Sequence, residues 1–256
     1  MQESVENHAF GRYRLIAHRG GVVEGRHPEN SAAAVAGAVD RGYAMVEIDV
    51  RLSADGEIVC FHDERVRRRM RRVASSRLTL PELRRRAGGW ILTLEQMVEL
   101  CEGRIDVMVD TKSDPTSAAP DLFERMHELF QKHGLLRRAL FIGTNASKAY
   151  FRDHAATAVS YKSIARGERP LHSIRPTEFL FGHGTEIDAA TAEQALALGL
   201  RVVPSVNRFH YFPRRTTVEA ANADILRLAH AGCTEFQIDS EYDGVFVDLA
   251  EARRPG

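Results

Sequence analysis

Eight short apolar runs alternate with amphipathic stretches along almost the whole chain, and this alternation limits the possible folds more than any other feature. The runs fall at 15–17, 45–50, 105–109, 139–142, 158–161, 179–181, 201–206 and 236–238. Stretches 31–41, 93–101, 121–133, 188–198 and 217–231 carry apolar residues at helical spacing. Several of them stop at a glycine (Gly42, Gly134, Gly199, Gly232), the residue that most readily takes the left-handed conformation past a helix end. Thr93-Leu-Glu-Gln96 has the pattern of a capping box. Strand–helix alternation calls for a parallel sheet with crossover helices. Eight strands close a (β/α)8 TIM barrel, and the 256 residues suit one such domain over 1–256. An open, doubly wound sheet is the competing arrangement.

One run breaks the alternation. Residues 58–62 follow 45–50 with no room for a helix, and Asp55-Gly56 between them is a strong hairpin signal. The second strand is therefore expected to turn back on itself outside the eight. With Asp55 and Gly56 as a two-residue turn, Phe61 faces Val50 and His62 faces Asp49; a longer turn shifts this by a place or two and leaves His62 near Asp49.

Active sites of such barrels lie at the C-terminal ends of the strands. His18 and Arg19 end the first strand, and Asp110 with Lys112 ends the third parallel one. Glu47 and Asp49 are near the end of the second strand and, by the period of two, share a face. Three carboxylates converging on one spot repel one another unless a positive charge sits among them, and an all-oxygen set suits a hard divalent cation, Mg²⁺ or Ca²⁺. Arg19 and Lys112 are groups that bind phosphate oxygens. Two histidines beside them are candidate general acid and base. Together these parts describe metal-assisted attack at phosphorus.

His18-Arg19-Gly20, Pro28-Glu29-Asn30, Glu47-Ile-Asp49 and Phe61-His62-Asp63 occur in one order. With Asp55-Gly56 in the hairpin and Thr93-Leu94-Glu95 before a helix, this order resembles the glycerophosphodiester phosphodiesterase family. The resemblance is dense from Leu15 to Asp63, recurs at Asp110-Thr-Lys112 and thins afterwards. It implies a TIM barrel that cleaves one ester bond of a small phosphodiester with a divalent cation. It implies Glu47, Asp49 and Asp110 as metal ligands, His18 and His62 as the acid–base pair, and Arg19 and Lys112 on the phosphate. Glu29 joins the substrate-binding set by orienting Arg19 or His18, and Asn30 is read as a cap of the first helix.

The chain departs from the family pattern in places. The usual Glu-x-Lys of the third strand is Asp110-x-Lys112, as in sphingomyelinase D. The late Trp-Thr-Val-Asn appears as Pro204-Ser205-Val206-Asn207, and the loop after it, 207–215, mixes aromatic and basic residues that could wall the substrate instead. Ile238-Asp239 stands where Thr-Asp is expected. Trp90, the single tryptophan, is expected to pack, and His183 is a further candidate for lining the site. These departures keep open a lysophospholipase D or sphingomyelinase D-like lipid phosphodiesterase, and a non-catalytic barrel that only binds.

Composition removes other classes. Lys plus Arg equals Asp plus Glu at 35 each, so the overall charge points to neither nucleic acid nor an anionic membrane. The arginine-rich run 65–72 reads as a solvated loop or as a collar over the site. No stretch approaches the roughly 20 apolar residues of a membrane span. Three widely spaced cysteines, Cys60, Cys101 and Cys233, suit buried thiols in a reducing, cytoplasmic setting. A small-molecule phosphodiester is the expected partner.

Overall fold

The computed structural model describes residues 10–21, 27–68, 71–117, 119–212 and 217–252. In chain order the strands are β1 (Arg14–Ala17), β2 (Met45–Leu52), β3 (Ile58–Cys60), β4 (Arg65–Arg68), β5 (Arg71–Ala74), β6 (Asp106–Thr111), β7 (Leu140–Gly143), β8 (Ala156–Ser160), β9 (Glu178–His183), β10 (Arg201–Val206) and β11 (Glu235–Ile238). The helices are α1 (Ala32–Asp40), α2 (Leu80–Ala87), α3 (Leu94–Cys101), α4 (Leu122–Lys132), α5 (Asn145–Phe151), α6 (Tyr161–Ala165), α7 (Ala189–Ala197), α8 (Thr217–His230) and α9 (Gly244–Glu251). Strands β1, β2 and β6 to β11 pair in parallel, and β1 bonds to both β2 and β11, so the sheet closes on itself. This is a TIM barrel; an open sheet is excluded by the β1–β11 pairing.

The strand sequences explain why the barrel fills as it does. Side chains alternate between its interior and its helix-covered outside. Ile16, Met45, Met108, Leu140, Phe179 and Val203 pack in the interior. Their neighbours Leu15, Ala17, Val46, Val107, Phe141, Leu180 and Val202 pack outward among the helices. Two residues further along from the apolar layer, the same inward faces carry His18, Glu47 and Asp110, with Asp49 and Lys112 above them. These polar groups therefore stand on an apolar floor. Thr93 caps α3 in a capping box with Gln96, as its sequence predicts. A second capping box, Thr79 with Glu82, starts α2 and has Pro81 in its first turn.

The hairpin differs from the two-residue turn in one respect. Val50 pairs with Cys60 and Leu52 with Ile58, so the connection takes in Ala54, Asp55 and Gly56. The Ser53 N–H bonds to the Glu57 carbonyl, and Gly56 supplies the left-handed residue at φ 77°. Asp55 explains the extra residue. Its carboxylate accepts from the Ser53 hydroxyl at 2.6 Å and from the Leu80 N–H at 3.0 Å, tying the turn to the start of α2. As a result Phe61, rather than His62, meets Asp49, through an N–H to carbonyl bond of 2.9 Å. After His62 the arginine-rich run forms a second hairpin, β4 with β5. Its Val66 joins Phe61, Leu78, Leu80, Leu83 and Ile91 in a satellite core beneath it.

Candidate active site

His18 and Arg19 leave β1 in a tight turn. Arg19 has φ 50° and Asn30 has φ 57°, a conformation costly for residues other than glycine that collects at functional sites. Here it aims polar groups inward. The Arg19 N–H donates to Glu47 Oε2 at 2.9 Å, and its guanidinium reaches Glu29 Oε2 at 2.8 Å and Asp49 Oδ2 at 3.3 Å. Gly20 makes the turn possible: a Cβ there would lie 2.5 Å from the Cβ of Ala34 on α1.

Asn30 is not the cap of α1. Ser31 takes that role, its hydroxyl accepting from the Ala34 N–H at 3.2 Å. Asn30 is buried and clamps Asp49 from both sides. Its amide donates to Asp49 Oδ2 at 2.9 Å, and its carbonyl oxygen accepts the Asp49 N–H at 2.9 Å. The left-handed backbone that asparagine tolerates better than most residues turns the side chain inward, away from the helix start.

Glu47, Asp49 and Asp110 each offer a carboxylate oxygen, all within 4.8 Å of one another. Parallel pairing places Asp49 beside Asp110. Lys112 Nζ joins them, 3.2 Å from Asp49 and 2.5 Å from Asp110. Glu47 and Asp49 are both 1% exposed. Burial, then the neighbouring Asp49 and Asp110, pushes the Glu47 carboxyl well above the usual range. Asp49 goes the other way. Burial opposes its charge, but Lys112, Arg19, His62 and the Asn30 hydrogen bond together hold it below the usual range. Burial likewise opposes the charges on Lys112 and Arg19, and the surrounding carboxylates outweigh it and raise both. Three carboxylates and two fixed cations leave one negative charge uncompensated when all are ionised, and Glu47 is where a proton removes it.

This electrostatic arrangement, with an oxygen-only donor set, fits a hard divalent cation. A dication would replace the proton on Glu47. Glu47, Asp49 and Asp110 are the residues that would hold it.

The two histidines flank the cluster. His18 Nδ1 is 2.7 Å from Asp239 Oδ1, with both side chains largely buried. The other Asp239 oxygen accepts the Arg208 N–H at 2.6 Å. His62 Nδ1 is 3.1 Å from Asp63, and its carbonyl accepts two bonds from the Arg51 guanidinium, at 2.9 and 2.7 Å. Each imidazole thus has a carboxylate on Nδ1, leaving Nε2 as the atom for chemistry.

All eight expected site residues, His18, Arg19, Glu29, Glu47, Asp49, His62, Asp110 and Lys112, meet at the C-terminal mouth of the barrel. Two more belong with them. Asn30 was assigned to the helix, and Asp239 appeared only as a family departure. For Asp239 the available signal was its position just past the eighth apolar run, where β11 lies beside β1 in a closed barrel. His183 ends β9 at the same mouth and lies against His210, with ring centroids 3.5 Å apart and the planes tilted by 46°. Burial, with His183 and His18 next, pushes His210 down to about 4. Phe209 lies against both rings and is 62% exposed. Trp90 packs on Phe61 with centroids 6.1 Å apart.

The fold is a TIM barrel that gathers acids, two histidines and two cations at the C-terminal ends of its strands. The profile of the "Glycerophosphoryl diester phosphodiesterase family" matches residues 18–173. The chain belongs to this family, and with it to the phosphoric diester hydrolases. Bacillus subtilis YhdW is 35% identical over 113 residues, which is 40% of this chain and 46% of that protein. A Mycobacterium tuberculosis protein with the name probable glycerophosphodiester phosphodiesterase 1 is 29% identical over 86% of this chain and 80% of its own length. An Oleispira antarctica phosphodiesterase solved with the product sn-glycerol-3-phosphate is 25% identical, with a TM-score of 0.66 over 91% of this chain and 96% of that one. Among the described residues, no helix is long and apolar enough to cross a membrane.

Proposed function

We propose that this enzyme hydrolyses a glycerophosphodiester, or a similar small diester, to an alcohol and a phosphomonoester. The observation that carries the reading is the cluster of Glu47, Asp49 and Asp110 oxygens with Lys112 bridging two of them. With a divalent cation held among its acids, such a centre would attract the phosphoryl oxygens of a diester. A divalent cation, Mg²⁺ or Ca²⁺, bound by the three acids would supply Lewis-acid stabilisation of charge on those oxygens. Arg19 and Lys112 add fixed positive charge to the same oxygens.

His18 is fixed by Asp239 in the buried half of the site. Its Nε2 takes the proton from the oxygen nucleophile, either water, which gives the phosphomonoester directly, or the neighbouring glycerol hydroxyl, which gives a cyclic phosphodiester that water then opens. The bond from that oxygen to phosphorus forms as the bond to the leaving alcohol breaks. His62 is open to a neighbouring cavity that it helps to line. It gives a proton to the departing alkoxide, so the protons balance across the pair. Glu29 and Asn30 hold Arg19 and Asp49 in place.

The test is hydrolysis of glycerophosphocholine, glycerophosphoethanolamine, lysophosphatidylcholine and bis-p-nitrophenyl phosphate, each with Mg²⁺, Ca²⁺, Mn²⁺ or EDTA. Cation-dependent release from the two glycerophosphodiesters is expected. His18→Ala and His62→Ala should each lower kcat by about 10²–10⁴-fold with unchanged circular dichroism. Near-wild-type rates in both variants would end the acid–base assignment. Cleavage of the lysolipid alone would transfer the activity to lysophospholipids, a reading that Asp110 favours.

A further inference from the structure

A cavity of about 740 Å³ opens beside His62, between the β4–β5 hairpin, α2 and the turn carrying Glu29 and Asn30. Pockets of roughly 300–1,000 Å³ accommodate drug-sized ligands. Ethanolamine or choline would leave most of this one empty. We infer that the cavity is the subsite for the leaving alcohol and that it selects alcohols carrying a second anionic group, a phosphate monoester above all. This rests on the phosphodiesterase reading given above.

The charges lining the cavity carry the inference. Arg65, Arg72 and Arg86 all line it. Antiparallel pairing puts Arg65 and Arg72 on one face of the hairpin, since Arg65 faces Ala74 and Arg72 faces Arg67. Neither has an ion pair among the described residues. Arg86 reaches from α2, its Nη2 3.8 Å from Glu82. Its Nη1 is buried without a hydrogen-bond partner.

Three acids line the same space, and the rest of the site engages each of them to a different degree. Glu29 is held on Arg19 at 2.8 Å and Asp63 on the His62 ring at 3.1 Å. Glu64 acts on Arg51, whose guanidinium carries the His62 carbonyl. Arg65 and Arg72, with no ion pair among the described residues, and the unbonded Nη1 of Arg86 are therefore the cationic groups left for a ligand. Arginine's planar fork matches phosphate oxygens two at a time. Phe61 and Trp90 add an apolar wall against which the carbon face of a polyol ring can rest. A cationic headgroup such as choline gains nothing from three arginines.

Glycerophosphoinositol and glycerophosphoinositol 4-phosphate form a matched pair that differs by one phosphate. We expect kcat/KM for the phosphorylated diester to be at least tenfold higher, mostly through KM. Arg72→Gln and Arg86→Gln should each bring that ratio toward one. Because the ratio is internal to each variant, a change in folded fraction does not alter it. Arg72 is exposed, so its variant tests the idea even if Arg86→Gln folds poorly.

Calorimetric binding of the same two diesters to metal-free protein supplies a readout apart from turnover. The phosphorylated diester should bind at least fivefold tighter. Equal affinity, or a wild-type kcat/KM ratio near one, would overturn the inference. Absence of hydrolysis with any cation would overturn the phosphodiesterase reading instead, and binding would still decide the role of the cavity.

Discussion

At the residue scale, the candidate site depends on side chains held in place by residues outside the proposed catalytic set. Asp239 is the clearest case. It comes from the last strand of the barrel and holds His18 on the first, which only closure of the sheet makes possible. Its second oxygen is spent on the Arg208 N–H, which fixes the carboxylate and through it the imidazole tautomer. Asp239→Asn keeps the shape but offers an amide that can stabilise the wrong tautomer. We expect kcat to fall by about 10²–10⁴-fold with KM changed little. An unchanged kcat in steady-state assays would show that His18 needs no carboxylate. The groups that carry chemistry were legible because each sits at the end of an apolar run. Asp239 shares that position, but its partner His18 lies 221 positions away, and Asn30, in a loop, holds a residue 19 positions away. No local pattern records a partner at that distance.

At the element scale, strand periodicity and helix caps located most of the fold. The β2–β3 turn takes the longer of the forms that the sequence allows, one residue beyond Asp55-Gly56, with Asp55 engaged in long-range bonds to Leu80. The short helices α5 and α6 carry too few residues to show a helical period. Helix α2 had a legible start, Thr79-Leu-Pro-Glu82, hidden among the arginines that follow.

Caps also make a testable link between charge and stability. Asp188 caps α7, accepting the Thr191 N–H at 2.8 Å, the Thr191 hydroxyl at 2.7 Å and the Tyr161 hydroxyl at 2.6 Å. The Tyr161 bond, then the two from Thr191, pulls its carboxyl down to about 2. The unfolded chain holds this proton with a pKa of about 3.9, so the native state binds fewer protons between the two values. The stabilisation is fully present above the unfolded value and fades as pH falls through about 2. Asp188→Ala should cost about 1 kcal/mol at neutral pH. Urea unfolding at pH 7, about 4 and about 3 should show the gap between wild type and variant narrowing at the acid end. A gap that stays constant would mean that the charge of the cap contributes nothing.

At the scale of the whole molecule, the barrel places a repulsive acidic cluster on top of its apolar interior, and the cost of that arrangement should be visible in its unfolding. Glu47 meets two other carboxylates in a buried site, and burial together with their charge pushes its carboxyl well above the usual range, which favours the protonated form while no cation is bound. A cation that binds only the folded state stabilises it by about 2.7 kcal/mol at a hundred times Kd. For a chain of this length that corresponds to a rise in Tm of roughly 5–10 °C. Saturating Mg²⁺ or Ca²⁺ should therefore raise Tm over the EDTA-treated protein, and binding near neutral pH should release about one proton. Titrations in buffers of different ionisation enthalpy measure that proton. Glu47→Gln separates the two contributions. The amide has nearly the shape of the protonated carboxyl, so the metal-free variant should melt close to the metal-free wild type. It lacks the charge that draws the cation, so most of the rise on adding metal should disappear, and the proton release with it. A metal-free Glu47→Gln that melts far below wild type would show that Glu47 is ionised in the folded protein and held by Arg19 and Lys112. An equal rise in both proteins would place the cation away from this cluster.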